Sequence, residues 1–125
     1  MRLVLDAGAL VAIERLDRET EILLRVAHSS GIGVTTSAGA VAQVWHNGAR
    51  QANLARALDG VASMPIDDRT ARRLGPLLRA SRTTDIVDAH VAWLAAPGDH
   101  VLTSDPRDIA RLLAVRKVDA VVTRV

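Results

Sequence analysis

The stretch VLTSDPRDIARL, residues 101–112, reads as a short apolar strand that stops at Thr103-Ser104 and hands over to a helix. Asp105 and Asp108 stand at the handover, and two roles suit them. As an N-cap, Asp105 would accept from the free N–H groups of the first turn. Pro106 would then be the first helical residue, where its missing N–H costs nothing. Asp108 would fall at the acidic position of a capping box, although Glu or Gln is usual there. The other role is to hold a metal ion. Taken alone, the stretch is accounted for by helix initiation, so the choice rests on the rest of the chain.

Working outward, the same strand-to-helix handover recurs. RLVL (2–5) ends at Asp6 and DAGALVAIERL turns helical. A second helix is expected over Glu19–His28, closed by Ser29-Ser30-Gly31. IGVTTS is a strand, and Ser37 caps the helix AGAVAQVWHNG, which should stop at Asn47-Gly48. ARQANLARALDG is another amphipathic helix and VASMPID a strand. Asp67 caps DRTARRLGPLLRAS, with a kink expected at Gly75-Pro76. Asp85–Ala96 is a helix, HVLTS a strand, DPRDIARLLAV a helix and DAVVTRV a last strand. Strands alternating with helices imply a parallel sheet with helical crossovers. The expected fold class is therefore α/β, with a mainly parallel central sheet of four to five strands in a single domain, 1–125.

Composition agrees. Nearly half the residues, 49%, are hydrophobic, but the aromatics amount to Trp45 and Trp93. An aliphatic core suits parallel strands covered by helices. With no cysteine there is neither a disulfide framework nor a thiolate metal site. No apolar run reaches membrane-spanning length. The N-terminal MRLVLDAGALVAI is broken by Asp6, so no signal peptide is expected and a cytoplasmic location is. The net charge is only +2, yet it is unevenly placed. Arg50, Arg56, Arg69, Arg72, Arg73, Arg79 and Arg82 fill the middle of the chain, and Asp85, Asp88, Asp99, Asp105 and Asp108 follow. Arginine forks bind phosphate, so a basic middle beside an acidic cluster suits a phosphate-bearing polymer held near a cation. Arg50, Arg72, Arg73 and Arg82 are the candidate contacts to such a polymer. Arg-rich helices are also common as plain solvated faces.

In an open parallel sheet, ligands bind beyond the carboxyl ends of the strands. Asp6 follows the first strand; Thr35, Thr36 and Ser37 follow the second; Thr103, Ser104 and Asp105 follow the fourth. The helix TTDIVDAHVAWL adds Asp85 and Asp88 on one face. Capping explains Asp85 and Asp88 as a pair, but not why Asp6, Asp88 and Asp105 should converge. Carboxylates packed together raise one another's pKa unless a cation is present. Hard oxygens without thiolates suit Mg²⁺ or Mn²⁺. Motifs for dinucleotides, nucleoside triphosphates, zinc proteases and serine hydrolases are absent. The four histidines show no ligand spacing among themselves, and both tryptophans are expected in the core or at an interface.

LVLDAGALVA, VTTSAGAVAQVW, DIVDAHVA and VLTSDPRDI, in that order over essentially the whole chain, resemble the PIN-domain ribonucleases, and among them the VapC toxins of bacterial toxin–antitoxin pairs. The resemblance implies an α/β/α sandwich, a homodimer, Mg²⁺- or Mn²⁺-dependent RNA cleavage, and neutralisation by a VapB-like antitoxin. It carries catalytic and metal-binding roles onto Asp6, Asp88 and Asp105. Where the family has a fourth acid, usually Glu, this chain has Gln43. Gln43, Asp85, Thr103, Ser104 and Asp108 are accessory candidates.

Two other readings compete. A PIN-fold module that binds RNA or protein, with weak or no catalysis, is favoured by Gln43. A receiver domain also gathers acids beyond strand ends. Lys117, the sole lysine, precedes the last strand and does not follow one, which argues against a receiver.

Overall fold

Leu3, Val4 and Leu5 are all buried, as are Val101 and Leu102. Central parallel strands are covered on both faces, so they read as unbroken apolar runs. In the computed structural model, which describes residues 1–125, these segments are β1 (Leu3–Leu5) and β4 (His100–Thr103), side by side at the middle of one sheet. β2 (Val34–Ser37) lies on the other side of β1, and β3 (Ala62–Met64) and β5 (Val121–Arg124) form the edges. All pairings are parallel, in the order β3-β2-β1-β4-β5. The hydroxyls that make β2 polar are satisfied inside the sheet: Thr35 donates to Ala62 O at 3.0 Å and Thr36 to Leu5 O at 2.7 Å.

Seven α-helices cover the sheet: α1 (Ala7–Glu14), α2 (Arg18–Ser29), α3 (Ala38–Val44), α4 (Ala52–Leu58), α5 (Asp68–Ser81), α6 (Ile86–Leu94) and α7 (Pro106–Arg116). Alternation along the strands sorts them into two layers. Leu3, Leu5 and Leu102 pack with Leu10, Ile13, Leu24, Val44 and Leu54 of α1–α4. Val4 and Val101 pack with Leu74, Leu77, Val91, Ile109 and Leu112 of α5–α7. The expected α/β/α sandwich is the observed architecture. No helix is long and apolar enough to cross a membrane.

Three local expectations change. The helix expected to run to Asn47-Gly48 ends at Val44, because Trp45 is extended. The cause is Gln51, which is buried. Its amide donates to Val44 O at 2.9 Å and accepts from the N–H groups of His46 and Asn47, both at 2.9 Å. The same side chain splits the next expected helix into a 3₁₀ turn (Gly48–Arg50) and α4. Third, α5 runs unbroken through Pro76.

The chain leaves the centre of the sheet at β1, winds outward through β2 and β3, and returns to β1's other side at β4. The point where the winding reverses lies between β1 and β4, the place where parallel α/β sheets open a crevice. Here Gly8 lets the first turn of α1 lie against Ser104. A Cβ at residue 8 would run into the Ser104 side chain and come within 3.0 Å of its backbone nitrogen. Gly8→Ala should therefore destabilise the fold by about 1–3 kcal/mol, although alanine is the better helix former. Ser104→Gly in the same chain should recover part of this in urea unfolding.

Candidate metal centre

Asp6 follows β1 and caps α1, accepting from Ala9 N at 2.9 Å through Oδ1. Its other oxygen accepts from the Thr103 hydroxyl and from Ser104 N, the latter at 3.2 Å. Thr103 Oγ1 in turn accepts from Asp105 N at 2.8 Å. A buried carboxylate thus joins the end of β1 to the end of β4 and sets the turn that presents Asp105. Three of the roughly four acceptor positions of Asp6 are used within the chain.

Aspartates hold the N-cap positions of α1, α2, α5, α6 and α7. Asp6, Asp17, Asp67 and Asp85 each accept a backbone N–H of their helix, whereas Asp105 caps nothing. Helix initiation therefore does not explain Asp105. Its carboxylate stands instead with those of Asp88 and Asp108. One oxygen from each of the three lies within 4.8 Å of the others.

Asp88 is brought there from the other side of the crevice. Asp85 Oδ1 accepts from Asp88 N at 2.9 Å, fixing the first turn of α6. Asp88 is half-buried, and its carboxyl is pushed up to about 7, first by burial and then by the negative charges of Asp85, Asp105, Asp6 and Asp108. Asp105 is also raised. Hydrogen bonding to the neighbouring Asp108 carboxyl contributes most, then burial, then the charges of Asp108 and Asp6; the Asp108 N–H works the other way. One cation reaches the rim: the Arg111 guanidinium stands 2.7 Å from Asp108 Oδ1.

The structure thus brings together Asp88 and Asp105, as expected, but completes the close group with Asp108. Asp6 acts on this group through its charge and through the Thr103–Ser104 turn. Gln43 is exposed on α3, a helix that packs against both α1 and α6, and makes no hydrogen bond. Asp99, which sequence order groups with the other acids, precedes β4 at the opposite edge of the sheet. There it accepts from Arg2 N at 2.9 Å, from Ala96 N at 2.8 Å and from the Arg2 guanidinium at 3.0 Å. His90 is buried, with Nδ1 2.6 Å from Ser37 Oγ, and burial lowers its pKa. The candidate RNA arginines are divided. Arg50 lies in the α1–α4 layer, Arg72 and Arg73 lie on α5 in the other layer, and Arg82 follows α5 three residues before Asp85. All four are exposed, and Arg72 pairs with Asp68 at 3.1 Å.

Every donor in the group is a carboxylate oxygen. Such a set fits a hard divalent ion such as Mg²⁺ or Mn²⁺ and disfavours soft metals. Without a cation the cluster opposes folding as it ionises. Between about pH 4 and pH 7, folded Asp88 keeps a proton that the unfolded chain has released, so its contribution to stability is lost as pH rises through this window. In EDTA, stability from this group should fall by on the order of 1–2 kcal/mol between pH 5 and pH 8, after discounting for its half exposure. His90 has the opposite slope below its ordinary pKa, since its folded value is lowered. The difference between wild type and Asp88→Asn, measured by urea unfolding across this range, isolates the carboxyl. Saturating Mn²⁺ should remove the fall.

The chain matches no family model and no curated protein.

Proposed function

We propose that this protein is a cytoplasmic, Mg²⁺- or Mn²⁺-dependent endoribonuclease of PIN-domain type, the toxin of a toxin–antitoxin pair similar to VapC and VapB. One observation carries the reading. Asp105 leaves its helix uncapped and stands with Asp88 and Asp108 at the reversal point of a parallel sheet, their oxygens within 4.8 Å. Asp88 and Asp105 hold the ion, Asp108 closes the group, and Asp6 with Thr103 and Ser104 keeps the Asp105 turn in place. A bound divalent ion would lower the pKa of a water and neutralise charge on a phosphodiester. Arg82, exposed and three residues before Asp85, would hold the RNA backbone.

The test is cleavage of an RNA panel by purified protein, with Mn²⁺ and with EDTA. Mn²⁺-dependent cleavage supports the reading. Intact RNA beside calorimetrically demonstrated Mn²⁺ binding overturns it. In that event the second reading stands, a PIN-fold module that binds RNA or protein without cutting. Two features favour that alternative: Gln43 brings no charge, and Asp108 is already paired with Arg111. Gln43→Glu decides how α3 takes part. An added carboxylate near the ion should tighten Mn²⁺ binding several-fold, whereas unchanged affinity in calorimetry places residue 43 outside the metal's reach.

The partner proposal rests on a groove of about 720 Å³ between α2 and α4, with Ile13, Leu16, Leu24 and Ala57 along it and a polar rim that includes Glu21, Arg25 and Arg56. Leu16, at the groove, is about half exposed, 52%. An amphipathic helix of the antitoxin fits such a groove, and a basic residue following it would meet the acidic centre. A homodimer completes the proposal. Co-expression with an upstream small gene product should yield a complex, and a lone monomer at high concentration would count against both partners.

A further inference from the structure

We propose an anion site, formed by Arg69, Thr70, Arg73 and Trp93 on the α5–α6 face and separate from the acidic centre, that takes a backbone phosphate of single-stranded RNA. These side chains line a cleft of about 310 Å³. Trp93 forms its half-buried wall, and the Arg116 guanidinium lies over the indole, 4.7 Å from the ring centroid. Arg116 is pinned there by the carbonyls of Ala92 and Ala95, at 2.7 and 2.9 Å. No carboxylate lines the cleft. Asp68 is paired with Arg72, at 3.1 Å, and Asp67 caps α5 through Thr70 N, at 2.7 Å, although the Asp67 charge also reaches Arg69. Arg69 and Arg73 sit one helical turn apart, both exposed and neither in a salt bridge. Two guanidinium forks one turn apart on α5, beside an indole wall that Arg116 holds in place, make a cleft that can take a phosphate with room for the sugar and base beside it. The choice of RNA as the bearer of that phosphate rests on the ribonuclease reading; the site itself stands on the cleft.

The test uses the full-length chain carrying Trp45→Phe, which leaves Trp93 as the sole indole. A ten-residue oligouridylate is titrated in EDTA at low salt, where no cleavage occurs. The oligonucleotide should quench Trp93. Arg69→Gln with Arg73→Gln should weaken binding at least fivefold and make the dependence of log affinity on log salt shallower by about 0.7, for the one phosphate no longer neutralised. Both arginines are exposed, so circular dichroism should show an unchanged fold. Asp88→Asn should leave the quenching intact. Equal affinity in the double variant, or no binding by the parent, overturns the proposal. Uridine monophosphate binding as tightly as the oligonucleotide overturns the assignment to a strand. Binding that needs the arginines in a protein that never cuts RNA supports this site while the ribonuclease reading fails; cutting that is indifferent to the arginines does the reverse.

Discussion

Asp88→Asn and Asp105→Asn should each lower Mn²⁺-dependent RNA cleavage by at least about 100-fold, some 2.7 kcal/mol of transition-state stabilisation, and should do so without unfolding the protein. The two effects have one origin. Asp88 is half-buried among like charges, which push its carboxyl up to about 7. Replacing it with a neutral isostere removes a repulsion that the metal-free fold must otherwise bear. Metal-free Asp88→Asn should therefore be more stable than wild type at pH 8, and the gain should shrink at pH 5, where folded wild type already holds the proton. Mn²⁺ should stabilise wild type by mass action and the variant much less. Lost activity, lost metal response and raised metal-free stability form a pattern that general damage to the fold cannot produce. If Asp88→Asn cleaves at the parent rate, the assigned role is wrong. If it loses activity together with stability, Asp88 is structural.

The architecture was legible because its signals are local and repeated. Each apolar run ends in a hydroxyl or acid and passes into a helix, and that alternation suffices for a parallel sheet. The sequence rule that strand ends share an edge leads to an expected convergence of Asp6, Asp88 and Asp105, of which Asp88 and Asp105 stand in the close group while Asp108 takes the third place. What local signals could not supply was the division of labour among the acids. Cap and ligand have the same sequence signature, an Asp ahead of a helix. Only the folded arrangement shows that Asp85 caps while Asp105 does not. Asp99 looks like a member of the acidic group in sequence order, but it precedes β4 and so falls at the other edge beside Arg2. Gln51 left no readable trace, since a glutamine inside a polar helical pattern predicts exposure. Its burial depends on the Val44 carbonyl and two N–H groups that the loop leaves without other partners. Gly8 did have a readable signal, a small residue two positions after a strand-ending acid, but its partner Ser104 is 96 residues away.

Asp6→Ala should destabilise the protein by about 3 kcal/mol, the opposite sign to Asp88→Asn. The carboxylate is buried and accepts from Ala9 N, the Thr103 hydroxyl and Ser104 N. Removing it withdraws the cap of α1, worth about 0.5–2 kcal/mol. It also orphans donors at the ends of two central strands, at roughly 1–3 kcal/mol for each that stays buried and dry. These costs overlap, which is why the expected total lies below their sum. Asp6→Asn keeps the shape but turns an NH₂ towards donors. Whichever way the amide faces, its NH₂ meets Ala9 N or Ser104 N, neither of which can accept, so a donor is orphaned and a loss of about 1–2 kcal/mol is expected. The Ser104–Asp105 turn would then lose its anchor, and Mn²⁺ affinity should fall about 10- to 100-fold, as it does when groups supporting a metal ligand are removed. Urea unfolding in EDTA separates the two possible roles of this residue. A brace loses stability when neutralised, whereas a repelled ligand gains it. If Asp6→Asn is more stable than wild type at pH 8, Asp6 belongs with Asp88 among the repelled charges, and the turn after β4 is held by something other than its carboxylate.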